Sequence, residues 1–223
     1  MVRVQLASLA LAASALAAPA TELLPRSSDA KACDATSKIC YSEYVSPNGV
    51  SFRIAIPDTA TATAPYDIAL SIVAPKAIGW AGVAWGGAMA NNPLTVGWAN
   101  AATAVVSSRR ATGHTLPTAY DGASYKVLPS SKTNDTHWQL DVICTGCSTW
   151  VGAAGSEAKT LDPASAAISL AYATSATAPA DPSNNASRFG IHSAKGKWTQ
   201  DFGSAKLTGF AGLVQAAEKG AVA

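Results

Sequence analysis

The stretch 50-VSFRIAI-56 sets Val50, Phe52, Ile54 and Ile56 at every second position, with smaller or polar residues between them. Successive side chains of an extended segment point to opposite faces, so this period predicts a strand with one buried face. The pattern recurs in 67-DIALSIV-73 through Ile68, Leu70 and Ile72. Further short apolar runs predict strands over 80–85, 95–99, 104–107, 125–128, 138–143 and 168–172. Turn-forming residues such as Pro47-Asn48-Gly49, Pro57-Asp58, Asp121-Gly122 and Pro129-Ser130 punctuate these runs. Short strands at such spacing must bury their faces against one another, which predicts an all-β, antiparallel β-sandwich of immunoglobulin-like type. One segment departs from the pattern. Leu207, Phe210, Leu213, Val214 and Ala217 recur at helical spacing, but Gly209 and Gly212 weaken a helix, so a short C-terminal helix and a frayed tail both stay open.

The N-terminus sets the expected compartment. Arg3 precedes an apolar run over 4–18, broken only by two serines and a glutamine and closed by small residues before Pro19. That is the form of a secretory signal peptide at 1–18, too short for a spanning helix. The expected organisation continues with a pro-segment or linker at 19–30, one domain at 31–203 and a C-terminal tail at 204–223. No later apolar run is long enough to span a membrane, so a soluble, secreted, extracellular protein is expected. Sixteen Lys and Arg against fourteen Asp and Glu give a net charge of +2, no footprint for nucleic acid or anionic lipid.

The four cysteines are Cys33, Cys40, Cys144 and Cys147. In an oxidising compartment an even count favours disulfides over a zinc knuckle or a redox CxxC, and local pairing, Cys33–Cys40 with Cys144–Cys147, is expected. Two sequons, at Asn134 and Asn185, lie in polar, turn-rich stretches suited to glycans.

The histidines, His114, His137 and His192, show no short metal-binding spacing, and the G-x-S-x-G elbow of serine hydrolases is absent. A copper polysaccharide monooxygenase needs histidine as its first mature residue, whereas the first histidine here is His114. His137 opens a predicted strand and reads as structural. What stands out is Met89, in 85-WGGAMANNP-93, which is the only methionine besides Met1. A thioether in a loop of small residues is either a gap filler or a ligand, and the residues alone leave both open.

The ordered set 85-WGGAMANNPLTVGWAN-100, 105-VVSSRRATGHTLPTAY-120, 136-THWQLDVICTGCSTW-150 and 189-FGIHSAKGKWTQDF-202 resembles the haem-binding cytochrome domain of fungal cellobiose dehydrogenase, within a DOMON-like iron-reductase family. The similarity runs in order from about Cys33 to Gly203. The resemblance implies a β-sandwich holding one haem b, with Met89 and His192 as the axial iron ligands. Where the family often carries tyrosine after A-T-G, beside a haem propionate, this chain has His114; hydrogen-bonding a propionate and competing for the iron both stay open for it. Tyr120 keeps the family's nearby aromatic, and Arg110 stands where an aromatic is common.

No G-x-G-x-x-G follows a strand in this sequence. The expected protein is therefore a stand-alone secreted cytochrome without sugar oxidation. Its implied donors are extracellular flavin dehydrogenases, and its implied acceptors are copper polysaccharide monooxygenases, quinones or ferric complexes, with a polysaccharide surface as a further partner. Whether ferric reduction is its own activity or a side reaction of haem stays open. The alternative is a carbohydrate-binding β-sandwich without redox function, in which exposed tryptophans stack on sugar rings.

Overall fold

The computed structural model describes residues 31–220. The signal peptide and pro-segment expected at 1–30 lie outside the described residues, as do 221–223. Along the chain run β1 (Lys31–Cys33), β2 (Cys40–Val45), β3 (Ser51–Pro57), β4 (Ile68–Pro75), β5 (Trp80–Ala84), β6 (Pro93–Asn100), β7 (Thr103–Arg110) and β8 (Thr118–Ala119). There follow β9 (Ser124–Val127), β10 (Lys132–Thr133), β11 (His137–Thr145), β12 (Thr149–Val151), β13 (Ala158–Thr160), β14 (Ile168–Ser175) and β15 (Ala194–Gln200). A short turn of helix α1 (Phe202–Ala205), β16 (Lys206–Leu207) and helix α2 (Phe210–Glu218) close the described chain.

Two mainly antiparallel sheets face each other. One has the path β1-β2-β3-β4-β11-β10, with β9 added on β11 and β16 parallel to β3; the other runs β15-β14-β5-β6-β7-β8. The alternation of β3 and β4 turns Phe52, Ile54, Leu70 and Ile72 inward, where they meet Val83, Trp85, Leu170, Tyr172 and Trp198 of the other sheet. The expected antiparallel β-sandwich is the fold.

The outer faces of the two sheets differ. On the first, Tyr41, Ala55, Ala69 and Ile143 are covered by Leu207, Phe210, Val214 and Ala217, so the helical spacing near the C-terminus does form a packed helix. On the second, the apolar cluster of Trp80, Ala84, Leu94, Val96 and Trp98 is packed by Met89 and Phe189 from two loops and by its strand neighbours, with no helix among the described residues over it. The first sheet is sealed, and the second keeps a hollow.

Both expected disulfides, Cys33–Cys40 and Cys144–Cys147, are formed. Each ties residues in or beside strands: Cys33 and Cys40 are register partners of β1 and β2, and Cys144 is the penultimate residue of β11.

Beneath the helix-covered face lies one buried carboxylate, that of Asp141 on β11, fully buried. The Gln139 amide donates to its Oδ2 at 2.7 Å. Burial, reinforced by the charge of nearby Asp34, holds the Asp141 carboxyl above the usual carboxylate range. The folded state then binds this proton more tightly than the unfolded chain does. Stability from this group is complete below the ordinary carboxylate value and is lost as pH rises through the raised one. Asp141→Asn removes that loss and should be more stable than wild type near neutral pH by about 1 kcal/mol. Urea midpoints of the two proteins from pH 4 to 8 test it: the curves should converge on the acid side, and parallel curves would remove Asp141 as the cause.

Candidate functional site: a cleft on the open face of the second sheet

The floor of the hollow follows from strand register. Gly82 of β5 pairs with Ala173 of β14, Ala84 pairs with Ala171, and Ala173 pairs in turn with Lys195 of β15. These positions share the outer face because their neighbours Val83, Leu170 and Tyr172 point inward. Small side chains at the centre and larger ones at the sides, Trp80, Leu94 and Val96, leave a cleft of about 760 Å³. That lies within the roughly 300–1,000 Å³ typical of small-molecule and cofactor sites. A Cβ at Gly82 would stand 3.0 Å from the Thr95 carbonyl oxygen, so glycine keeps the floor low there.

One end of the cleft is closed by the β5–β6 connection, 85–92. Gly87 adopts φ +72°, a conformation glycine takes without steric cost, and a Cβ there would meet Ser169 Oγ at 2.5 Å. The buried Asn92 amide donates to the carbonyls of Ala88 at 2.9 Å and Ala90 at 3.0 Å, on either side of Met89. The Asn91 N–H donates to Ala111 O at 2.7 Å and ties the turn to the next connection. Met89 is therefore held by backbone contacts on both sides while its half-buried side chain lines the cleft.

The other end is closed by the β14–β15 connection, 176–193, which carries His192. Trp98 Nε1 donates to Pro182 O at 2.8 Å, and Phe189 packs on Trp80 with ring centroids 4.9 Å apart. The Ser193 N–H donates to Thr174 O at 2.9 Å and delivers the chain into β15. Met89 follows the Ala84 end of β5, whereas His192 precedes the strand paired with the Thr174 end of β14, which lies beside Trp80. The two side chains thus line one cleft from opposite ends of the sheet.

His114 also lines the cleft, with Leu116 and Pro117, from the β7–β8 connection. Tyr120 does not. Its ring lies over Gly122, where a Cβ would meet its hydroxyl at 2.2 Å, and Arg110 stacks on it at 5.4 Å. Arg110 is drawn away from the cleft by the carbonyls of Val151 and Gly152, to which Nη2 donates. His137, at the start of β11, shares a hydrogen bond with Thr136 Oγ1 at 2.9 Å, in keeping with a structural role. Asn134 uses its Oδ1 to accept from Thr136 and His137 N–H groups, leaving its amide nitrogen at an exposed turn, and the Asn185 side chain is likewise exposed.

Two lining residues carry no sequence signal, Lys195 and Lys197, which alternate outward along β15. Among the described residues no carboxylate lines the cleft. Its occupant would be a largely apolar group, with the Met89 sulfur and the His192 imidazole as potential ligands at either end. That donor set suits haem iron, and the apolar walls suit a macrocycle. The tryptophans divide: Trp80 lines the cleft, Trp98 supports the histidine loop, and Trp85 lies in the inner core and donates to Thr95 Oγ1 at 2.8 Å. All six are at most 4% exposed, so none offers a ring face to a sugar, as the carbohydrate-binding alternative requires.

The family described as the cytochrome domain of cellobiose dehydrogenase matches residues 32–212. Among curated proteins the chain is similar to a pyrroloquinoline quinone-dependent pyranose dehydrogenase of Coprinopsis cinerea, 33% identical over 165 residues. That alignment takes in 74% of this chain but 22% of the relative, so the chain spans about a fifth of that protein's length. Among solved structures, the cytochrome b domain of pyranose dehydrogenase from Coprinopsis cinerea superimposes with a TM-score of 0.75 at 27% identity, covering 84% of this chain and 95% of that one. The cytochrome domain of Myriococcum thermophilum cellobiose dehydrogenase shares the fold, with a TM-score of 0.74 at 24% identity and the same coverages of 84% and 95%.

Proposed function

Because this chain belongs to the family of the cytochrome domain of cellobiose dehydrogenase, a haem-binding family for which electron transfer is implied, we propose that it is a secreted b-type cytochrome with Met89 and His192 as its axial ligands. The observation that carries the reading is the approach of these two side chains to one apolar cleft from opposite ends of a sheet. Haem, when bound, supplies a one-electron iron couple. Both donors are uncharged, and the soft sulfur of Met89 favours the ferrous state, which raises the potential. With Met89 and His192 both holding the iron, the site would suit electron transfer and not oxygen or substrate binding. All four cysteines are paired with one another, leaving no thiol for covalent haem attachment, in support of the b type. In this reading His114, which also lines the cleft, would hydrogen-bond a propionate.

As to partners, the donors in this reading are extracellular dehydrogenases of the flavin class or of the quinone-dependent class to which the curated relative's name assigns it. The acceptors are copper polysaccharide monooxygenases, quinones or ferric complexes. Secretion rests on the signal peptide read at 1–18, with glycans at Asn134 and Asn185 and the cytochrome domain at 31–203. No helix among the described residues is long and apolar enough to cross a membrane. The test is the absorption spectrum of the protein reconstituted with haem. Wild type should give the sharp bands of a low-spin ferrous haem on reduction, and Met89→Ala and His192→Ala should each lose them. If either variant keeps those bands, its residue is not a ligand.

A further inference from the structure

We propose that Arg109, which no part of the haem reading uses, is a positioning residue that fixes His192 by stapling the loop that carries it. The inference rests on His192 being an axial ligand. Arg109 lies on β7 and is 7% exposed, and a buried guanidinium requires hydrogen-bond partners. Among the described residues its partners are a hydroxyl and backbone carbonyls, not carboxylates. Nε donates to Ser107 Oγ at 2.6 Å, and Nη2 donates to the backbone carbonyls of Asn185 at 3.0 Å and Ser187 at 2.7 Å. Ser107 Oγ itself donates to Asn185 O at 2.5 Å, so the two β7 side chains grip the same carbonyl. The guanidinium carbon also stands 5.4 Å from the centre of the Phe189 ring, a cation–π distance.

These contacts end three residues before His192. From Phe189 to His192 the backbone makes no hydrogen bond among the described residues, and the Ile191 side chain is 79% exposed. The next anchor is the Ser193 N–H on Thr174 O. His192 therefore hangs between two fixed points, one built by Arg109 and one by the sheet. The planar guanidinium spans two carbonyls, a hydroxyl and a ring together, which the point charge of lysine does not reproduce.

The experiment uses the full chain reconstituted with haem, comparing wild type, Arg109→Gln and Arg109→Lys. Haem transfer to an excess of a haem-scavenging protein should be faster in both variants by roughly 10–100-fold, the range for losing a group that orients a metal ligand. Both should lose low-spin bands at a temperature where wild type keeps them, and added imidazole should restore them by filling the vacated position. Where Arg109→Gln fails to fold, Ser107→Ala carries the same test, with a smaller gain of about tenfold. Wild-type transfer rates and bands in both Arg109 variants would overturn the proposal and leave the ligand assignment standing. A wild-type protein that binds haem without low-spin bands would overturn the ligand assignment and this inference with it.

Discussion

Ala173→Trp should yield a folded protein that takes up no haem. Ala173 sits half-buried at the centre of the cleft floor, between Gly82 on one neighbouring strand and Lys195 on the other. An indole brings 150–250 Å² of surface, about the scale of a large core side chain, into the space between the two ligand loops. The inner face of β14, through Leu170 and Tyr172, keeps its packing, so unfolding stability should stay within about 1 kcal/mol of wild type. The variant differs from a ligand deletion because Met89 and His192 remain in place and only the room between them is lost. The expected result is a colourless protein after incubation with haem and gel filtration, with an unchanged urea midpoint. A red variant with the wild-type spectrum would place the cofactor outside this cleft, whatever the ligands are.

A clear period of two shows in the sequence where the inner face of a strand carries the larger apolar side chains and the outer face small or polar ones. β3 and β4 alternate because Phe52, Ile54, Leu70 and Ile72 face the core. Strand β2 shows no period-2 contrast in the sequence because Tyr41 and Tyr44 are buried on opposite faces, one under the helix and one in the core. Strand β15, 194-AKGKWTQ-200, was hidden for another reason: its inward positions include Gly196 and Gln200. Glycine is needed at 196 because the Tyr172 ring lies 2.6 Å from where its Cβ would stand, so the apolar group filling that place belongs to the neighbouring strand.

The site shows a similar division. Met89 was visible as an anomaly of composition, but its pairing with His192 came through the family resemblance, since only sheet topology brings the β5–β6 and β14–β15 connections to one face. Tyr120 follows β8 and turns back over Gly122, a change of direction that a motif alignment does not carry. Nothing in 105-VVSSRRATG-113 tells which arginine turns toward the histidine loop. Arg109 and Arg110 are adjacent, so strand alternation sends them to opposite faces, and the register of β7 decides between them.

Trp198→Ala should destabilise the protein by about 3–5 kcal/mol, the cost of deleting a large aromatic from a packed core. The indole is fully buried on edge strand β15 and stacks on Tyr44 of the facing sheet, with centroids 4.9 Å apart and planes 7° apart. Phe52, also from the facing sheet, lies at 5.5 Å. Its Nε1 donates to Gln200 Oε1 at 3.0 Å, and Gln200 Nε2 donates to Ser42 Oγ at 2.8 Å, so one chain of contacts joins the two sheets. Removing the indole leaves a cavity and a buried amide oxygen without that donor. Against a typical total of 5–15 kcal/mol this loss is large. Because β15 leads directly from His192, the variant should also release haem faster than wild type. Trp198→Phe keeps a ring in the stack and loses the N–H, so its cost should be nearer 1–2 kcal/mol. Urea unfolding of the haem-free proteins measures both. A Trp198→Ala midpoint close to wild type would mean that the sheets are held together elsewhere, and that the edge strand beneath the histidine loop does not depend on this stack.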